Sequence, residues 1–252
     1  MALLDFKSGN PTLSEKSFQS VSYSGTEAMT ARGAMNKLGF MLLLVMAGAF
    51  YTWQAFYKGQ NTMPFLLVGG LGGFVVAMVI IFKKEWSPYL APAYALLEGL
   101  FIGAISATYN FAFAERMPNI ITNAVGLTVG TALAMYLLYN FKVIKVTERF
   151  KSIIFTATAG IAIFYLITWV LRMFNVPVAF MHDSSALGIG ISLFVVSIAA
   201  LNLILDFDMI EQGAAQGAPK YMEWFGAFGL LVTLVWLYLE MLRLLSRFSS
   251  RD

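Results

Sequence analysis

Seven long apolar runs constrain this chain more than any other feature. A hydrocarbon core about 30 Å thick needs about 20 mainly apolar residues per helix. Runs of that size lie at roughly Leu38–Tyr57, Met63–Phe82, Pro88–Phe113, Asn119–Phe141, Ser152–Leu171, Ala186–Met209 and Met222–Leu245. Only 12% of the residues are charged, against about 25% in an average soluble domain. Transmembrane β-barrels show alternating segments of about ten residues, whereas these runs are continuous and longer. The predicted class is an all-α membrane protein with seven transmembrane helices, embedded in a lipid bilayer.

Residues 1–37 are polar and rich in Ser, Thr and Gly. They read as a largely disordered or membrane-surface tail. They lack the basic segment and apolar core of a cleaved leader. The membrane domain is expected over 38–246, with a short basic tail over 247–252. Arg243, Arg247 and Arg251 recur every four residues and read as a membrane-surface contact. Arg172 reads as a helix-end residue that snorkels to the interface. Placing the N-terminus in the cytoplasm puts Lys83, Lys84, Lys142, Lys145, Arg149 and Lys151 inside, as the positive-inside rule requires. Seven full spans then put the C-terminus outside; a re-entrant last segment returns it to the cytoplasm.

The absence of cysteine excludes disulfides, thiol nucleophiles and Cys-type metal sites. The single histidine, His182, cannot build a zinc or di-iron cluster, and with Asp183 it reads as solvated loop. No Walker loop, GxSxG elbow or HExxH pattern occurs. The expectation is a protein that is not an enzyme, carries no cofactor and binds no nucleic acid.

Ionisable residues inside apolar runs are the functional candidates. Glu98 lies near the middle of the third run. It is either a protonated carboxyl bonded to backbone or to an Asn such as Asn202, or a group lining a polar route. Asp206 closes the sixth run and Glu240 the seventh. Consecutive helices can bring them together. Two carboxyls in hydrogen-bond reach share a proton and titrate as a pair. Such a pair is a pH-sensing latch; when both groups are ionised it repels and offers oxygen ligands to a hard cation such as Ca²⁺. The competing reading leaves both at helix ends, solvated and idle. Their meeting requires Glu211 to about Met222 to form an interfacial loop or short helix. Asp208 points elsewhere, towards headgroups or a loop lysine. Gly99 with Gly103, and Gly126 with Gly130, have the spacing of close helix packing. The stretch Gly69–Gly73 reads as packing or a hinge.

Four stretches give the chain a family resemblance. They are Asn10-Pro11-Thr12-Leu13-Ser14-Glu15-Lys16, the Glu98-Gly99 region of the third run, Leu205-Asp206-Phe207-Asp208-Met209-Ile210, and Leu237-Tyr238-Leu239-Glu240-Met241-Leu242-Arg243. In their order and spacing they resemble the transmembrane Bax inhibitor motif family, in its bacterial Bax inhibitor-like branch. The resemblance implies a seven-helix bundle with the last helix central, in a bacterial inner membrane. It implies a pH-sensitive Ca²⁺ leak, with Asp206 and Glu240 at the positions of a gating aspartate pair. Glu stands at 240 where the family usually has Asp, and the connection between the two acids is longer.

Two functions from different classes follow. One is a pH-regulated cation (Ca²⁺) leak, with Asp206 and Glu240 as latch and possible Ca²⁺ contacts, Glu98 on the polar route, and Asp208 and Asn202 as secondary residues. The other is a non-conducting, stress-regulatory protein whose tail binds a membrane protease or other membrane proteins. A proton-coupled transporter is a third. The expected state is a monomer or small homo-oligomer.

Overall fold

The computed structural model describes residues 27–174 and 185–250. The sequence features at Asn10–Lys16, His182, Asp183 and Arg251 lie outside the described residues. Among the described residues seven helices are long and apolar enough to cross a membrane. They are α1 (Ala31–Tyr57), α2 (Met63–Phe82), α3 (Ser87–Ala112, after a 3₁₀ turn at Lys84–Trp86), α4 (Ile120–Asn140), α5 (Glu148–Met173), α6 (Ala186–Ala215) and α7 (Met222–Ser249).

Four boundaries differ from the hydropathy pattern. α1 starts at Ala31 rather than Leu38, because Thr30 caps it by accepting from the Gly33 amide at 2.9 Å. α5 starts at Glu148 rather than Ser152, with Thr147 accepting from the Phe150 amide. α6 runs through Asp206 and Glu211 to Ala215, so no separate interfacial helix follows Glu211. The turn to α7 is short, with Gly217 at φ 69°, a conformation glycine adopts without steric cost. α7 continues to Ser249 and includes Arg247, so the basic tail begins later than 247.

α7 is the most enclosed helix: 78% of its most apolar 18-residue stretch is buried, against 56% for α6 and 17% for α2, α4 and α5. That burial bears out a central last helix.

The described residues fall into two compact units. One comprises residues 27–112 and Met209–Val232. There α1 and α2 both pack on α3. Gly99 faces the Val45 carbonyl, and Gly103 lies where a Cβ would come 2.5 Å from the Ala49 carbonyl oxygen. Gly69 takes the same role between α2 and α3, where a Cβ would sit 2.6 Å from the Leu97 carbonyl oxygen. These are small-residue crossings, as membrane helices require where no hydrophobic effect drives association. The glycines of α2 therefore serve packing within an unbroken helix. Gly99→Val is expected to cost about 1–3 kcal/mol or more, the usual cost of overpacking, read as a fall in thermal midpoint in detergent. Gly126→Ala is the control. A Cβ at Gly126 or Gly130 meets nothing within 4 Å, so that pair does not serve packing among the described residues.

The other unit comprises Phe113–Asp208 and residues 233–250. Its core is Ile154, Ile161, Val195, Ile198 and Leu205, with Tyr165 and Trp236 packed against it.

Candidate functional site

A polar seam runs along α5. Lys151, Thr158 and Tyr165 are spaced two turns apart, which keeps them on one face. Each meets a polar side chain of α6 or α7. The Lys151 ammonium lies 3.4 Å from Asp208. Thr158 accepts from the Asn202 amide at 2.8 Å. Tyr165 donates to Glu240 at 2.9 Å. Lys151, Asn202 and Glu240 are all buried, and buried polar groups in an apolar helix need such partners.

Asp206 is 0% exposed. Thr233 of α7 donates its hydroxyl to the carboxylate at 2.5 Å. Glu240 is 2% exposed. It accepts from Arg243, one turn on, at 2.8 and 2.9 Å. Arg243 also donates to the Tyr165 hydroxyl and lies over its ring, 5.0 Å from the centroid. Arg247, also buried, donates to the Gly188 carbonyl.

The contacts Thr233–Asp206 and Arg247–Gly188 run in opposite directions along α7 and α6, so the two segments are antiparallel. That register sets Thr233 beside Asp206. Glu240 lies two turns further along α7, about 10 Å at 1.5 Å per residue. The structure therefore does not bring the two carboxyls into hydrogen-bond contact with each other; each is held by its own partners. The reason is that α7 is helical from Met222 onwards, directly after the turn, so that 18 residues of helix separate its start from Glu240. Neither acid is idle at a solvated helix end.

The remaining candidates are placed as follows. Asp208 meets a lysine, but one in the first turn of α5 rather than in a loop. Asn202 bonds to Thr158 and to the Ile198 carbonyl. Glu98 is buried in the unit of α1–α3, with Tyr94 one turn before it and Gly73 of α2 leaving room for its carboxyl. Arg247 is buried and bonds the Gly188 carbonyl rather than lying open to a membrane surface, because α7 stays helical past Leu245; Arg243, a third exposed, is held by Glu240 and Tyr165. Arg172 lies exposed in the last turn of α5.

One buried acid escaped sequence reasoning. Glu223, in the first turn of α7, is 0% exposed. It accepts from the Thr30 amide at 2.8 Å and hydroxyl at 3.0 Å, pairs with Lys37, and lies 3.3 Å from Lys220. Lys220 lies outside the membrane spans, and its hydrogen bond to Glu223 holds its ammonium above the usual lysine range. A Cβ on Gly33 would strike the Glu223 carboxylate. An acid at the start of a helix usually signals only a favourable dipole, which is why it drew no attention.

Spanning helices with these enclosed acids and bases define an integral, polytopic α-helical membrane protein. Its sequence places it more closely: the family model described as Bax inhibitor 1 like matches residues 10–250. The chain belongs to that family. No curated protein and no solved structure matches it.

Proposed function

We propose that the protein is a pH-regulated cation leak of a bacterial inner membrane, with Ca²⁺ as the transported ion and a cytoplasmic N-terminus. The seam of α5 carries this reading: Lys151, Thr158 and Tyr165 supply a polar group every two turns along a spanning helix, each facing a polar side chain. Ionisable groups are costly in a membrane and concentrate on ion and proton routes.

The latch on this reading is two locks on one helix rather than one shared proton. Thr233–Asp206 is the first and Arg243–Glu240–Tyr165 the second. Protonation of Glu240 removes the charge that Arg243 faces, and protonation of Asp206 weakens the acceptor that Thr233 uses. Either change loosens α7 against its neighbours. Glu98, in the other unit, is a further buried carboxyl.

The test is efflux from Ca²⁺-loaded proteoliposomes at acid, neutral and alkaline pH. The wild type is expected to change rate with pH, and Asp206→Asn to flatten that change. A wild-type rate equal to that of empty liposomes at every pH sinks the leak and leaves the non-conducting interaction protein.

A further inference from the structure

We infer that the turn between α4 and α5 holds the headgroup of an anionic phospholipid, gripped by Lys142, Lys145 and Arg149, while Phe141 and Val143 enter the acyl layer. The inference goes beyond the leak reading and stands whether or not the protein conducts.

The charges are the first support. Lys142, Lys145 and Arg149 are all exposed. Among the described residues none of the three meets an acid; Glu148, the carboxylate in the first turn of α5, lies 3.5 Å from the Lys151 ammonium instead. The helix dipoles explain only part of this set. Lys142 follows the C-terminus of α4, where a cation is favoured. Arg149 stands in the first turn of α5, where the dipole favours an acid. Its charge has no local use, and an anion from outside the protein supplies one.

The backbone is the second. The Lys142 amide donates to the Tyr139 carbonyl at 2.9 Å and the Val143 amide to the Leu138 carbonyl at 3.0 Å, the pairing of a Schellman cap. Lys142 fills its left-handed position at φ 55°, where glycine is the usual residue. The other described residues with positive φ, Gly59 and Gly217, are glycines. A lysine there accepts backbone strain, and the cap fixes where its side chain leaves the chain. At the other end of the turn Val146 and Phe150 pack against the core of their unit. The cations sit on a turn pinned at both ends, so little order remains to be lost on binding.

The apolar side chains are the third. Phe141 is 70% exposed and Val143 66% exposed, on either side of Lys142. Leu133 and Leu137 precede Phe141 along α4 at intervals of four, which keeps the three close to one face, and both are exposed. A ligand with acyl chains meets charge at the turn and an apolar track leading from it into the bilayer. Free phosphate uses the cations and leaves the track empty. The combination therefore selects a lipid, and the cations select one with net negative charge.

The test titrates phosphatidylglycerol or phosphatidylcholine into the full chain in an uncharged detergent and reads the first bound lipid by native mass spectrometry. The wild type is expected to hold phosphatidylglycerol on the order of a hundredfold more tightly. Lys142→Gln, Lys145→Gln and Arg149→Gln are each expected to weaken it about fivefold, and the triple variant to bring it to the level of phosphatidylcholine. Phe141→Ser weakens both lipids. Lys142→Gly relieves the backbone, so it raises the thermal midpoint while weakening phosphatidylglycerol as much as Lys142→Gln does. Arg116→Gln, which removes an exposed cation before the other end of α4, changes nothing. The substituted side chains are all exposed, so the core stays intact. Equal wild-type affinity for the two lipids overturns the site, as does a loss in Arg116→Gln as large as that in Lys145→Gln. Displacement of the lipid by an equal concentration of glycerol phosphate means a free-phosphate site and overturns the lipid. None of these readings involves efflux, so failure of the leak leaves them standing.

Discussion

Arg243→Leu is expected to lower stability by about 3 kcal/mol. Breaking a buried ion pair from one side costs about 3–5 kcal/mol because the other charge stays buried. The low end applies because the Arg243 side chain is 33% exposed while that of Glu240 is 2% exposed. Glu240 would keep only the Tyr165 hydroxyl, and Tyr165 would lose the guanidinium over its ring. Adding Glu240→Gln to Arg243→Leu removes the uncompensated charge and is expected to recover most of the loss, since deleting both partners of a buried pair is often close to neutral. Chemical unfolding of the two single variants and the double in one detergent closes the cycle. Losses that simply add would show that the two side chains are not coupled. Glu240→Asp, the residue usual in the family, draws the carboxylate back by one methylene. Its effect is expected to be the smallest of the set, because Arg243 has the reach to follow.

Hydropathy located α2 at its observed ends because uncharged residues there meet Asn61-Thr62 on one side and Lys83-Lys84 on the other. It also places Glu98 inside an apolar run and Asp206 and Glu240 at the close of two others; all three are buried, although for the last two the pattern alone allows a solvated helix end. It could not pair them. Pairing depends on the register between antiparallel helices, which the turn after Ala215 sets and no apolar run encodes. The start of α1 was hidden for a related reason. Ala31–Lys37 contains Arg32 and Lys37, so it reads as tail; its helix is fixed by Thr30 and by Glu223, 193 positions away. Arg247 was misread because a cationic helix end resembles a headgroup contact, and only the tertiary structure supplies the Gly188 carbonyl that takes it. The repeat of Lys151, Thr158 and Tyr165 was present in the sequence, but in a run of mixed polarity a Thr and a Tyr carry no sign of facing inwards.

Glu223→Ala carries the other large expectation, a loss of about 2–4 kcal/mol centred on the start of α1. Removing one partner leaves a buried donor unsatisfied at about 1–3 kcal/mol, and more where a charge is involved. Here the Thr30 amide, the Thr30 hydroxyl and Lys37 all lose their acceptor. Lys37 keeps the ring of Trp224, 5.4 Å from its ammonium, and with a side chain only 20% exposed it must either turn outwards or stay uncompensated. Two milder variants separate the contributions. Thr30→Val removes the side-chain cap, worth about 1 kcal/mol, together with the hydroxyl that donates to Glu223, and leaves the Thr30 amide and Lys37 on the carboxylate. Glu223→Gln keeps an oxygen for Thr30 but removes the attraction to Lys37 and Lys220, so it should fall between the other two. Backbone exchange reports the site directly. In Glu223→Ala the amides of Met29, Thr30 and Gly33 should exchange faster, because Met29 donates to the Ala218 carbonyl through the same junction, while the amides in the middle of α5 keep their protection. Exchange that rises equally in α5 would mean that Glu223 supports the whole protein. No change at Thr30 would mean that the N-terminal segment is held by the apolar contacts of Met29 and Ala34 alone.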